Sequence, residues 1–75
     1  MKEYEIVSTY LNGCAGEAYP LTAFTEEELL DPFDYIRSKH PVDYSRFVKE
    51  DMPDGRVKYV FDNGTVTYMY EFTEL

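Results

Sequence analysis

Tryptophan is absent from this chain of 75 residues, and cysteine and histidine occur once each, as Cys14 and His40. A single cysteine excludes an internal disulfide, and an unpartnered thiol suits a reducing compartment, so a cytoplasmic protein is expected. Closed zinc sites draw their four ligands mainly from cysteine and histidine, so no structural zinc is expected, and no other cofactor motif is present. Cys14 and His40 are the one conventional nucleophile and base pair; without an orienting third group in the pattern, no enzyme is expected from them. Basic residues are also scarce: seven against fifteen acids give a formal net charge of −8. Such a charge repels polyphosphate and anionic lipid and favours basic partners, which argues against direct binding to nucleic acid or membrane.

Long apolar runs are missing as well. No segment approaches the roughly 18 uninterrupted apolar residues of a membrane span, and charge enters the N-terminus too early for a secretory signal. Asn63-Gly64-Thr65 matches a glycosylation acceptor formally, but a turn accounts for it better. Asp51-Met52-Pro53-Asp54-Gly55 lacks the ligand at the third loop position and a suitably spaced terminal glutamate, so it is no EF-hand loop. Repeats, low-complexity stretches and linkers are absent, leaving one domain over residues 1–75. A domain of this size buries only about 60% of the surface its unfolded chain exposes, with little room for a deep cleft.

What is present is strand-forming sequence. Tyr59 to Phe72 forms two alternating runs hinged on Asn63-Gly64, the signature of a β-hairpin with a type I′ turn. A two-residue turn there predicts Phe61 opposite Val66, Tyr59 opposite Tyr68 and Val57 opposite Tyr70 on one face. Arg56, Lys58, Val60, Thr67, Met69 and Glu71 fall on the other face. Residues 2–11 alternate similarly, with Tyr4, Ile6, Ser8 and Tyr10 on one side and Glu5, Val7, Thr9 and Leu11 on the other. A loop rich in glycine and proline follows from Asn12 and offers, within residues 12–23, the one place for a catalytic function using Cys14.

Thr25-Glu26-Glu27-Glu28 has the capping-box pattern and predicts a short helical turn over 26–30. Asp31-Pro32 then predicts an N-cap and first helical residue, giving a helix from 32 to about 40, or one kinked helix across both segments. Leu29, Phe33 and Ile36 would face the sheet. Further strands are expected near 44–51, 56–62 and 65–73, with a turn at 52–55; whether Phe47 or Val48 points inward stays open. The expected fold is α+β: a four-stranded antiparallel sheet, ordered strand, helix, then three-stranded meander, with the helix packed on one face.

The charge is uneven. Residues 24–43 carry −4 net, from Glu26, Glu27, Glu28, Asp31, Asp34 and Asp43 against Arg37 and Lys39, while residues 1–23 and 44–75 carry −2 each. On a helix, Glu27, Asp31 and Asp34 would form one stripe resembling a row of phosphates. The macrodipole offers a plainer account, since acids favour a helix's first turn and bases its last. Eight tyrosines exceed what so small a core absorbs, because a buried hydroxyl needs a partner. Tyr4, Tyr10, Tyr19 and Tyr44 are therefore candidate interface anchors beside the acidic face of Glu26, Glu27, Glu28, Asp31 and Asp34.

The composition thus points to a small acidic binding protein that inhibits or modulates a basic, nucleic-acid-binding protein. The profile resembles in type the inhibitors that phages and mobile elements encode against host defence nucleases, anti-CRISPR proteins among them; no family motif carries that likeness. The alternative is a homo-oligomer joined through edge strands, in which the acids serve solubility alone.

Overall fold

The computed structural model describes residues 1–12 and 21–75. Five strands and one helix follow in the order β1 (Lys2–Asn12), β2 (Leu21–Leu29), α1 (Pro32–Lys39), β3 (Val48–Asp51), β4 (Val57–Asp62) and β5 (Val66–Glu74). All pairings are antiparallel, and the sheet order is β2-β1-β5-β4-β3. The α+β class holds, but the sheet has five strands rather than four.

The added strand is β2, where a helical turn over 26–30 is expected from the capping box. A capping box is a four-residue preference, whereas β2 pairs with β1 in unbroken register from Lys2↔Leu29 to Tyr10↔Leu21. Tertiary pairing over nine positions outweighs a local preference worth about 1 kcal/mol. The expected strand over 44–51 is also divided. Tyr44–Arg46 forms a single 3-10 turn, and the strand begins only at Val48. Phe47 is the inward residue at 9% exposure, while Val48 is 62% exposed.

The helix starts where Asp31-Pro32 places it. The Phe33 N–H donates to Asp31 Oδ1 at 2.9 Å, Pro32 occupies a first-turn position that needs no N–H donor, and His40 closes the last turn by donating its N–H to the Ile36 carbonyl. Because β2 and β3 are opposite edges, the chain must cross the sheet between them. Eight helical residues cover about 12 Å, and five strands span about 19 Å from first to last axis, so residues 40–47 complete the crossing.

That crossing covers one face of the sheet. Ile6, Tyr59, Phe61, Tyr70 and Phe72 from the strands meet Tyr35 and Ile36 from α1 and Phe47 from the crossing segment. Leu29 and Phe33 pack against the same cluster, as their spacing predicts. Aromatic rings dominate it: Phe72 lies edge-on to Tyr4, Tyr35 and Tyr59, with centroids 5.7–6.4 Å apart.

The β4–β5 hairpin differs from the sequence reading by two positions. Val57 pairs with Phe72, Tyr59 with Tyr70 and Phe61 with Tyr68. The turn centres on Gly64-Thr65 rather than Asn63-Gly64. Gly64 takes φ +87° at the first central position, the place where a two-residue hairpin turn of the II′ kind requires glycine. Asn63 instead uses its side chain, whose Oδ1 accepts from the N–H groups of Thr65 and Val66 at 2.9 and 2.8 Å. A shift of two preserves the parity of the strand, so every inward residue stays inward.

Candidate functional site

α1 covers the sheet face that carries Ile6 and Phe72, and among the described residues no element packs on the opposite, outer face. Strand alternation and register determine what that face displays. β1 contributes Glu3, Glu5, Val7 and Thr9, and β2 contributes Thr22, Phe24, Glu26 and Glu28. Met69 and Glu71 of β5 and Lys58 and Val60 of β4 continue it.

Two cross-strand pairs define its acidic end. Glu5 stands directly opposite Glu26, and Glu3 directly opposite Glu28. Side chains in such positions are about 5 Å apart at Cβ, and like charges there oppose pairing. Glutamate is also a poor strand former, so Glu26, Glu27 and Glu28 sit in β2 against their own preference. All four outer carboxylates are exposed, as is Glu27, which projects to the helix side opposite Tyr4.

The chain's own cations do not neutralise this end. Lys2 pairs with Glu74 at 3.2 Å, Arg37 with Asp34 at 3.0 Å, and Arg46 and Lys49 with Asp43 and Asp51 at 3.9 Å each. Arg56 reaches both Asp54 and Glu71 at 2.6 Å. Hydrogen bonds from Arg56, first from its backbone N–H, lower the Asp54 pKa, and the side-chain hydrogen bond to Asp54 raises that of Arg56. Among the described residues no cation forms an ion pair with Glu3, Glu5, Glu26, Glu27 or Glu28.

The helical stripe of Glu27, Asp31 and Asp34 does not exist. Glu27 is on a strand, Asp31 caps the helix, and Asp34 accepts a hydrogen bond from Arg37, so these side chains serve three separate surroundings. Glu26 and Glu28 remain on a shared acidic face, joined by Glu3 and Glu5, which sequence reading left out of the candidate site. The strand partnership that unites them is long-range and leaves no local mark.

The tyrosine anchors are placed differently from expectation. Tyr4 and Tyr44 pack against the core, and Tyr10 lies half-buried with its ring centroid 5.1 Å from that of Tyr68. Tyr19 falls outside the described residues, as does Cys14, so the Cys14–His40 pairing lies there too. Of the loop expected over 12–23, Asn12 belongs to β1 and Leu21, Thr22 and Ala23 belong to β2, because the strand pairing extends past the expected ends, and the rest lies outside the described residues. The exposed ring is Phe24, at 73%, on the outer face beside the glutamates.

His40 is occupied internally. Its Nε2 and the Tyr70 hydroxyl are 2.6 Å apart, and its ring lies against Phe47, Tyr68 and Tyr70. Burial lowers the His40 pKa, only partly offset by Asp43, and burial pushes the Tyr70 phenol up to about 12. With the folded imidazole titrating below the unfolded value of 6.5, the unfolded state binds the proton first. Stability should therefore fall as pH drops below about 6.5 and keep falling until the folded imidazole also protonates. Urea melts between pH 8 and about 5 should show that slope in the wild type and a flatter one in His40→Gln.

A hollow of about 250 Å³ on the helix side is lined by Ser8, Tyr10, Leu21, Ala23, Tyr68 and Tyr70. Ligand sites usually occupy about 300–1,000 Å³ and gather a few convergent polar groups. Among the described residues no group of histidine, cysteine, aspartate and glutamate is arranged to hold a metal ion, and no helix is long and apolar enough to cross a membrane. No protein-family model, curated protein or solved structure matches the chain.

Proposed function

We propose that this chain is a non-enzymatic binding protein that inhibits or modulates a basic, nucleic-acid-binding partner through the acidic end of its outer sheet face. The carrying observation is the opposition of Glu5 to Glu26 and Glu3 to Glu28 without any compensating cation. Natural sequences break local rules mainly where function requires it, and two like-charge pairs beside a run of poor strand formers break two at once. Along each strand the glutamates repeat every second residue, about 6.7 Å, which is close to two nucleotide steps of about 3.4 Å. Four charges in that array present to a cationic groove a surface comparable to a short stretch of nucleic acid. An inhibitor of a host defence nuclease is the class of protein that such a surface suits best.

Pairing with a second copy through an edge strand is the other reading, favoured by the nine-residue edge that β2 forms among the described residues. Its cost is bringing together two chains of net charge −8.

Capture on the immobilised chain tests the proposal. Raising salt from about 0.1 M to about 1 M shortens the screening length from about 10 Å to about 3 Å. Nucleic-acid-binding proteins should be retained from a cell lysate at the lower salt and released at the higher. A variant with Glu3, Glu5, Glu26 and Glu28 all changed to glutamine should retain none of them. Identical capture by variant and wild type would overturn the reading.

A further inference from the structure

We infer that β2 is a docking edge, which takes an extended cationic segment of the partner as a sixth strand. The inference rests on the functional reading above and adds the mode of recognition. Among the described residues β2 ends the sheet, and eight of its nine residues are exposed. An antiparallel edge strand turns about half of its N–H and C=O groups away from its one neighbour, available to another backbone. The opposite edge, β3, has four residues and a Lys49–Asp51 pair across its surface, so it offers a shorter and less acidic ladder.

The charges on β2 select the occupant. Glu26, Glu27 and Glu28 lie on the edge strand itself, with Glu5 and Glu3 immediately behind on the outer face. An edge of that sign repels a further copy of this acidic chain while attracting a basic segment, and charge complementarity therefore favours a partner strand over self-pairing. Alternation fixes the pattern that fits. Successive outward side chains of the incoming strand meet Glu28, Glu26 and Phe24, calling for basic, basic and apolar or again basic residues at every second position. Phe24 can receive an aliphatic side chain or the face-on approach of a lysine or arginine. The intervening side chains meet Glu27, Thr25 and Ala23, where small polar residues fit. Main-chain hydrogen bonds supply affinity in this arrangement, and the alternate side chains supply specificity.

The probe is the amidated peptide Lys-Thr-Lys-Thr-Val-Thr-Lys, compared with two versions N-methylated on alternate residues, one set in each. In a strand only one of the two sets points its N–H groups at β2, so one methylated peptide should lose binding by about tenfold or more while the other keeps it. The unmodified peptide should also slow amide hydrogen exchange in β2 but not in β3. Equal binding by both methylated peptides would overturn strand addition, as would equal loss from both without protection of β2, or binding by none of the three. Protection of β2 that grows with protein concentration in the absence of peptide would overturn it in favour of self-pairing. Salt-dependent binding of all three peptides alike would sink the strand mode and leave the acidic-face reading standing. Capture insensitive to the four glutamine substitutions would sink that reading itself.

Discussion

Phe72→Ala is expected to remove a large share of the stability of the fold. Phe72 is 1% exposed at the centre of the sheet, and its ring lies against those of Tyr4, Tyr35 and Tyr59, which come from β1, α1 and β4. Truncating a buried phenylalanine to alanine costs about 3–5 kcal/mol, through lost transfer energy and the cavity left behind. A domain this size holds roughly 4–11 kcal/mol in total. Three elements lose a common contact, so the loss cannot be confined to one strand. A urea titration followed by far-UV circular dichroism should show the midpoint moved far toward zero denaturant. Val60→Ala, on the half-buried outer face, should leave a cooperative transition. A Phe72→Ala chain as stable as the Val60→Ala chain would refute the assignment of the core.

Glu26→Lys combined with Glu28→Lys is expected to strengthen the fold and abolish partner capture. Each lysine would stand opposite a glutamate of β1, Glu5 and Glu3 respectively, turning two repulsive cross-strand pairs into attractive ones. Cross-strand pairs of this type differ by about 0.2–1 kcal/mol from neutral ones, so a rise of a few degrees in melting temperature is the expected scale. Binding should move the other way, because the cluster would fall from four negative charges to a balanced set. Association with a cationic protein should slow by about tenfold or more at low salt. The opposed signs make the double substitution informative. A mutation that merely damages the protein weakens both stability and binding, whereas this one separates them. Retained capture by the stabilised variant would remove the acidic face from consideration.

Much of the fold is legible from particular residues. Asp31-Pro32 marks the helix start because a cap and a fixed φ act within a few positions, and the structure places the helix there. The alternation of Tyr4, Ile6, Ser8 and Tyr10 assigns the inner face of β1 because side-chain direction depends only on parity. Parity also rescued the β4–β5 hairpin, whose register was read two positions away from the observed one. Where the turn sat was not legible, since Asn63-Gly64 and Gly64-Thr65 are both acceptable centres and the choice depends on strand pairing further along. β2 was hidden for a stronger reason: Thr25 to Glu28 carries helical preferences, and the partner that overrides them lies some twenty residues upstream in β1. The candidate site inherited that error. Glu26 and Glu28 were visible as part of an acid-rich stretch, but their association with Glu3 and Glu5, and their separation from Asp31 and Asp34, exist only once the sheet is assembled. The tyrosines misled in the opposite direction, because composition counts rings without saying that Tyr35, Tyr59 and Tyr70 can fill a core between sheet and helix.

The pairing of β1 with β5 has a kinetic consequence. Ile6 waits for Phe72 far along the chain, while β1 with β2 and β3 with β4 and β5 pair between segments close in sequence. The closing seam runs through the middle of the finished sheet, so maturation should be limited by the meeting of two preformed halves rather than by either half alone. During synthesis, the inner face of β1 stays open to water until β5 has emerged to pair with it.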